Sequence, residues 1–345
     1  MRRMKKREKK NKAVSLNKAA RLLKRADNIL ILTHIRPDGD TLGSAYALKY
    51  ALESMGKRVC VACGTKITKK FLFLTETEDL TPKFKPDFVV TVDVASLQLL
   101  GTMQAEYAGK INLAIDHHPT NAMFARYNLI MDKCSAAGII IFRLLQKMKI
   151  AFTQKMTDAL YIAISTDTGC FRYSNTDPET LRIAAALVEN GANSEYLNQI
   201  LFELVSPSHV ALQGLALKTL HYFGNGKIAI IRVTLDLISK AKATDDDIDN
   251  ISNIARNISG VEVGLLLRET APKEYKISAR SNGDVDVSYI CSLFGGGGHK
   301  KASGCMLKGE INEVEGRLVT AILNKYFTEE EQNEDDGFRG DNSGI

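Results

Sequence analysis

Through the first two hundred residues, short β-branched runs alternate with stretches whose apolar residues recur at helical spacing. Alternation of this kind predicts a parallel β-sheet flanked by helices. Strands are expected over residues 29–33, 58–63, 88–92, 111–115 and 127–131. Helices are expected over 42–55, where Gly56 supplies a C-terminal cap, and over 136–149, 153–165, 178–189 and 194–204.

After Ser206-Pro207-Ser208 the pattern changes. A helical segment over 210–222 runs into Gly224-Asn225-Gly226, and strands follow over 227–234, 261–268 and 274–280. A helical stretch, four consecutive glycines and a helix near 313–326 complete a smaller α+β domain. The fold class is therefore α/β, with an N-terminal parallel-sheet domain joined by a linker helix to that second domain. The expected divisions are a basic arm at 1–15, a first domain at 16–205, a linker at 206–225, a second domain at 226–327 and an acidic tail at 328–345.

A chain of 345 residues is long enough for two cores. Its 45% apolar and 25% charged content is that of an ordinary soluble protein. The net charge of +6 hides opposite ends: residues 1–12 carry eight Lys/Arg and one Glu, and 328–345 carry seven Asp/Glu and one Arg. Both tails read as solvated and disordered. No apolar run approaches the roughly 20 residues that span a bilayer, and no apolar stretch follows the basic start as in a signal peptide. The expectation is a cytoplasmic protein with no membrane partner. Six cysteines do not make a disulfide scaffold at this length, and Cys60 and Cys63 form a lone CxxC that reads as strand.

The chemistry lies where the apolar runs end. Thr33-His34-Ile35-Arg36-Pro37-Asp38-Gly39-Asp40 follows one run; Asp93 and Asp116-His117-His118 close two others; Asp167 follows an apolar helix. In an open parallel sheet the strand C-termini share one edge, where ligands bind. Asp38, Asp40, Asp93 and Asp167 would then meet His34 and His117. Carboxylates about 4 Å apart repel by several kcal/mol per pair at an effective dielectric near 20. Two divalent cations neutralise them. Oxygen-rich sites with some imidazole favour Mn²⁺ or Mg²⁺ over structural zinc. A pair of such ions is the usual device for hydrolysing phosphoesters.

These clusters resemble the DHH phosphoesterase family, named for the Asp-His-His that stands here at 116–118. His34-x-x-x-Asp38-x-Asp40, Asp93, Asp116-His117-His118 and Ser165-Thr166-Asp167-Thr168-Gly169 look like its four motifs in order. Gly295-Gly296-Gly297-Gly298-His299, with Arg280-Ser281 upstream, looks like the DHH-associated C-terminal domain. The likeness runs over about 16–327 and departs from the family pattern at Thr41, where alanine is common, a change expected to spare metal binding.

The resemblance implies two Mn²⁺, with Mg²⁺ or Co²⁺ as substitutes. His34, Asp38 and Asp93 hold one, and Asp40, Asp93, His117 and Asp167 the other. His118 faces the scissile phosphate and Asp116 orients a histidine. The four glycine N–H groups form an anion-binding nest beside Arg280, Ser281 and His299, so that substrate lies between the domains. Phe171, Arg172 and Tyr173 either contact a nucleotide or pack.

A site that grips a terminal phosphate suits short substrates. The nearest subfamily is the bacterial nanoRNase and pAp-phosphatase group, which implies hydrolysis of di- to pentanucleotides of RNA to mononucleotides and of 3′-phosphoadenosine 5′-phosphate (PAP) to AMP. The alternatives are a phosphodiesterase of cyclic dinucleotides such as c-di-AMP or their linear products, and a non-catalytic nucleotide-binding regulator. A homodimer stays open.

Overall fold

The protein is described by a computed structural model over residues 11–75, 82–248 and 251–327. Residues 1–10 of the expected basic arm and the whole acidic tail lie outside the described residues. The chain divides into two compact units, residues 1–204 and 205–345.

The first unit runs β1 (Lys12–Ala13), α1 (Leu16–Arg25), β2 (Asn28–Leu32), α2 (Gly39–Glu53), β3 (Arg58–Ala62), β4 (Phe88–Val92), α3 (Gln104–Tyr107), β5 (Leu113–Asp116), β6 (Tyr127–Ile130), α4 (Ala137–Met148), α5 (Gln154–Asp167), α6 (Pro178–Glu189) and α7 (Ser194–Asn198). All five strand pairings are parallel, in the order β1-β6-β5-β4-β2-β3. Ile29, Leu30, Ile31 and Leu32 of β2 alternate between two cores. Ile29 and Ile31 pack with helix residues such as Leu42, Ile140 and Leu160, while Leu30 and Leu32 pack with Leu100 and Tyr107. Burial on both faces is why the strand is apolar throughout.

The chain lays β3 on one side of β2 and then crosses to place β4 on the other. The order therefore reverses between β2 and β4, the point where open parallel sheets form a crevice beyond their strand ends.

Two expectations need correction. Lys12–Ala13, assigned to a disordered arm, adds a short edge strand beside β6, and α1 follows with Leu23 fully buried. The helix expected from Leu42 begins at Gly39, because the Asp38 carboxylate accepts the Thr41 N–H at 3.0 Å and caps it three residues earlier.

The second unit contains α8 (Pro207–Leu217), β7 (His221–Phe223), β8 (Ile228–Val233), α9 (Leu235–Lys240), α10 (Ile251–Arg256), β9 (Val263–Ala271), β10 (Glu274–Ser281), α11 (Val287–Ser292), β11 (Gly297–His299), β12 (Ala302–Lys308) and α12 (Ile311–Tyr326). Its sheet order is β11-β12-β10-β9-β8-β7, antiparallel except for β8 with β9. The segment 206–225, expected as a linker, opens this unit. Leu212 and Ala216 of α8 are fully buried in a core with Ile231 and Leu266, so apolar burial ties it to this unit. Among the described residues no single helix is long and apolar enough to cross a membrane.

Candidate metal centre

His34 stands two residues beyond the end of β2. Its Nδ1 donates to the Ile35 carbonyl at 2.8 Å, which leaves Nε2 at 3.7 Å from Asp93 Oδ2 and 3.9 Å from Asp38 Oδ1. Asp93 follows β4 with φ of 58°, a left-handed backbone uncommon for a residue with a side chain. That turn brings its carboxylate over the strand ends, where Oδ2 accepts the Thr41 hydroxyl at 2.6 Å.

Asp40 lies in the first turn of α2 and is buried. Its Oδ2 accepts the Ala137 N–H at 2.6 Å and its Oδ1 the Gly138 N–H at 2.9 Å. These are orphan donors of the first turn of α4, whose positive dipole end suits an anion.

Close helix packing brings Asp167 to this group. A Cβ at Gly43 would lie 2.3 Å from the Ala159 carbonyl, and one at Gly39 would lie 2.4 Å from Thr166 Oγ1. Glycine at both positions lets α2 approach α5, and Asp167 ends α5. His117, held by its Nδ1 donating to the Cys134 carbonyl at 3.1 Å, places Nε2 3.6 Å from Asp40 Oδ2, 3.5 Å from Asp93 Oδ1 and 3.7 Å from Asp167 Oδ2.

Three sets result, each able to offer one ligand atom per residue within 4.8 Å: His34, Asp38 and Asp93; Asp40, His117 and Asp167; and Asp93, His117 and His118. Asp93 joins two of them. Its Oδ1 is buried and makes no hydrogen bond among the described residues, a costly state for a carboxylate oxygen. Burial raises the Asp40 carboxyl well above the ordinary range, and Asp93, Asp167 and Asp38 add to the shift. Burial likewise raises Asp93, with Asp38 behind it, and pushes Asp167 up to about 6. An oxygen-rich donor set with an unsatisfied oxygen at its centre fits divalent cations, which restore the charged forms of these acids.

His118 is placed differently. Its Nδ1 donates to Asp116 Oδ1 at 2.8 Å, and this bond, against the opposing effect of burial, raises the imidazole to about 9. Burial alone would raise Asp116, but hydrogen bonds from His118 and Asn121 outweigh it and hold the carboxylate low.

The second unit corrects the expected glycine nest. The Gly295 and Gly296 amides donate to the Ser292 and Cys291 carbonyls at 3.1 and 2.9 Å and so close α11. Gly297–His299 form an exposed edge strand on β12. A Cβ at Gly296 would lie 2.2 Å from the Gly304 carbonyl, whereas one at Gly297 would meet nothing within 4 Å. The buried Ser281 hydroxyl already donates to the Val285 carbonyl at 2.8 Å. Arg280 is half-buried with Nη1 on the Ala279 carbonyl, and His299 is exposed. In the first unit, Arg172 Nε donates to the Gly169 carbonyl at 2.7 Å, and Phe171 packs edge-on against Tyr161.

Several contributors had little or no signature in sequence. Thr41 stands out in the sequence only as a departure from the family pattern, yet its hydroxyl holds the Asp93 carboxylate. The Cys134 carbonyl and the Ala137 and Gly138 amides are backbone groups whose side chains advertise nothing.

Comparison with known proteins finds family matches in both units. The DHH family, N-terminal domain, matches residues 28–164, and the DHHA1 domain matches 225–327. The bifunctional oligoribonuclease and PAP phosphatase NrnA of Thermus thermophilus is 31% identical over 299 residues, 85% of this chain and 89% of that protein. The Bacillus subtilis protein of the same name is 26% identical over 287 residues, 81% and 90%. The structure of an exopolyphosphatase-related protein from Bacteroides fragilis shares the fold with a TM-score of 0.84 at 24% identity, covering 90% of this chain and 95% of that one. RecJ of Thermus thermophilus in complex with Mn²⁺ shares it more distantly, with a TM-score of 0.53 at 14% identity, over 90% of this chain and 55% of that one. Two family domains in order, the Asp-His-His at 116–118 and a relative matched over most of both chains lead to one conclusion: this chain belongs, with the bacterial NrnA proteins, to the DHH family and is a phosphoesterase.

Proposed function

We propose that the protein hydrolyses short oligoribonucleotides to mononucleotides, and PAP to AMP, with two Mn²⁺ bound in the first unit. The observation that carries this is Asp93, which forms a ligand set with His34 and Asp38, lies with Oδ1 3.5 Å from His117 Nε2 of the Asp40, His117 and Asp167 set, and keeps that buried oxygen unsatisfied. The names of the relatives supply the substrates. In this assignment His34, Asp38 and Asp93 would hold one cation, and Asp40, Asp93, His117 and Asp167 the other. A divalent pair supplies charge neutralisation and lowers the pKa of a water for attack on phosphorus.

The remaining work belongs to the chain's own groups. His118, kept protonated by Asp116 at neutral pH, faces the phosphate and stabilises charge on its oxygens. As the P–O bond to the ribose oxygen breaks and the bond from water forms, the imidazolium gives its proton to the leaving oxygen. Arg280 and His299 bind the substrate's terminal phosphate; Arg172 contacts the nucleotide.

Chelated protein resupplied with Mn²⁺ and offered RNA dinucleotides, PAP, cyclic di-AMP and pyrophosphate side by side tests the assignment. The first two should have the highest kcat/KM. A higher value for the cyclic dinucleotide would replace the substrate class, and full turnover without added cation would remove the metal centre.

A further inference from the structure

We propose that residues 134–138, none of whose side chains belongs to the centre, align the Asp40, His117 and Asp167 half of it, and that Asn175 is the positioning residue that clasps them in place; this rests on the two-cation assignment above. The segment leaves β6 and enters α4. Its Cys134 carbonyl fixes His117 through Nδ1 at 3.1 Å. Its Ala137 and Gly138 amides grip both oxygens of Asp40 at 2.6 and 2.9 Å. Between them, the Ser135 carbonyl accepts from Asn175 Nδ2 at 3.1 Å, and the same nitrogen donates to the Asp167 carbonyl at 3.1 Å.

All three residues of one ligand set are thus keyed to a single stretch of backbone. His34 and Asp38 are held elsewhere, by the Ile35 carbonyl and the Thr41 amide.

The clasp depends on how the chain leaves α5. The Asp167 carbonyl is at a helix end, where it lacks an intrahelical partner. Gly169, Cys170 and Phe171 take φ of 57°, 57° and 62°, three successive left-handed residues that double the chain back. Asn175, eight residues on, then faces the carbonyl it serves. The two non-glycine residues in that turn are strained, and such strain persists where the surrounding contacts over-determine it. The segment is anchored a second time: Ser135 Oγ lies 2.8 Å from Thr180 Oγ1 at the start of α6, and Arg143, paired with Glu179, donates Nη1 to Cys134 Sγ at 3.5 Å.

Titration of the chelated, full-length protein with Mn²⁺ by isothermal calorimetry reads this directly. Wild type should take two equivalents. Asn175→Ala should weaken one about 10- to 100-fold, the usual cost of losing an outer partner of a metal ligand, and leave the other unchanged. Ser135→Ala, which cuts the contact to Thr180, should produce the same selective loss and serves if the Asn175 variant does not fold. Asn190→Ala, which removes only a contact to the Ala186 carbonyl at the other end of α6, should alter neither equivalent. Equal weakening of both equivalents, or of neither, overturns the clasp and leaves the two-cation centre standing. A wild type that takes a single equivalent overturns both.

Discussion

At the scale of single residues, the centre is a set of acids held at the wrong charge for an isolated protein. Asp40, Asp93 and Asp167 are all raised, so above their ordinary 3.8 and up to their raised values the metal-free fold binds more protons than the unfolded chain does. Stability therefore falls as pH rises through these groups, for Asp167 between its ordinary 3.8 and about 6. His118, raised to about 9, adds stability that is present below its ordinary value of 6.5 and lost as pH climbs through 9. Asp116 acts oppositely but only at the acid end, since its lowered carboxyl contributes above its ordinary 3.8. The melting temperature gained on adding Mn²⁺ should thus be larger at pH 8 than at pH 5.5, as differential scanning calorimetry can check; an equal gain would contradict the raised acids. His118→Ala should lower kcat while Mn²⁺ stoichiometry stays intact, whereas Asp93→Asn should lose both together. Loss of a cation from the His118 variant would exchange the roles given to the two histidines.

These residues were readable because carboxylates and imidazoles end several apolar runs in turn, more than helix capping of the kind Asp38 supplies accounts for. Their supports were not. A threonine, a main-chain carbonyl and an asparagine in a loop are among the commonest surface and turn groups, and only coordinates put them within 3.1 Å of ligand residues or the backbone that carries them.

At the scale of elements, the decisive contact is α2 against α5. Gly43 lets the helices meet where a Cβ would press on the Ala159 carbonyl at 2.3 Å and the Ala163 nitrogen at 2.8 Å. Backbone cannot step aside as a flexible side chain can. Gly43→Val should cost about 1–3 kcal/mol or more in stability from overpacking. It should also weaken Mn²⁺ binding by moving Asp167 away from Asp40, which a titration alongside chemical denaturation would detect. Most strand and helix interiors followed from periodicity, and α6 and β4 coincide with the expected bounds. Ends were decided by hydrogen bonds instead. Asp38 started α2 early, and the helix expected over 210–222 stopped at Leu217 because His221–Phe223 pair with β8.

At the scale of the molecule, two units with separate cores predict separable unfolding. Glu315, buried in the second unit, accepts from Arg232 Nε at 2.6 Å and His221 Nε2 at 3.0 Å. Glu315→Ala should destabilise this unit by about 3–5 kcal/mol, because it leaves partly buried cationic groups unpaired. Mn²⁺ uptake by the first unit should be unchanged; loss of uptake would show the two unfold as one. Arg280→Ala should chiefly raise KM for dinucleotides, and an unchanged KM would move substrate binding elsewhere.

By itself the sequence determined the class of fold and the identity of the acids and imidazoles, because apolar periodicity and side-chain chemistry are local properties of a chain. Tertiary structure alone decided that β3 and β4 flank β2 on opposite sides, so that His34, Asp38 and Asp40 meet Asp93 at the reversal of strand order. It also decided that Gly295 and Gly296 close α11 and that Gly297 and Gly298 join an edge strand instead of forming a nest. Strand order and the partners of main-chain amides depend on which distant segments pack together, and no spacing along the chain encodes that.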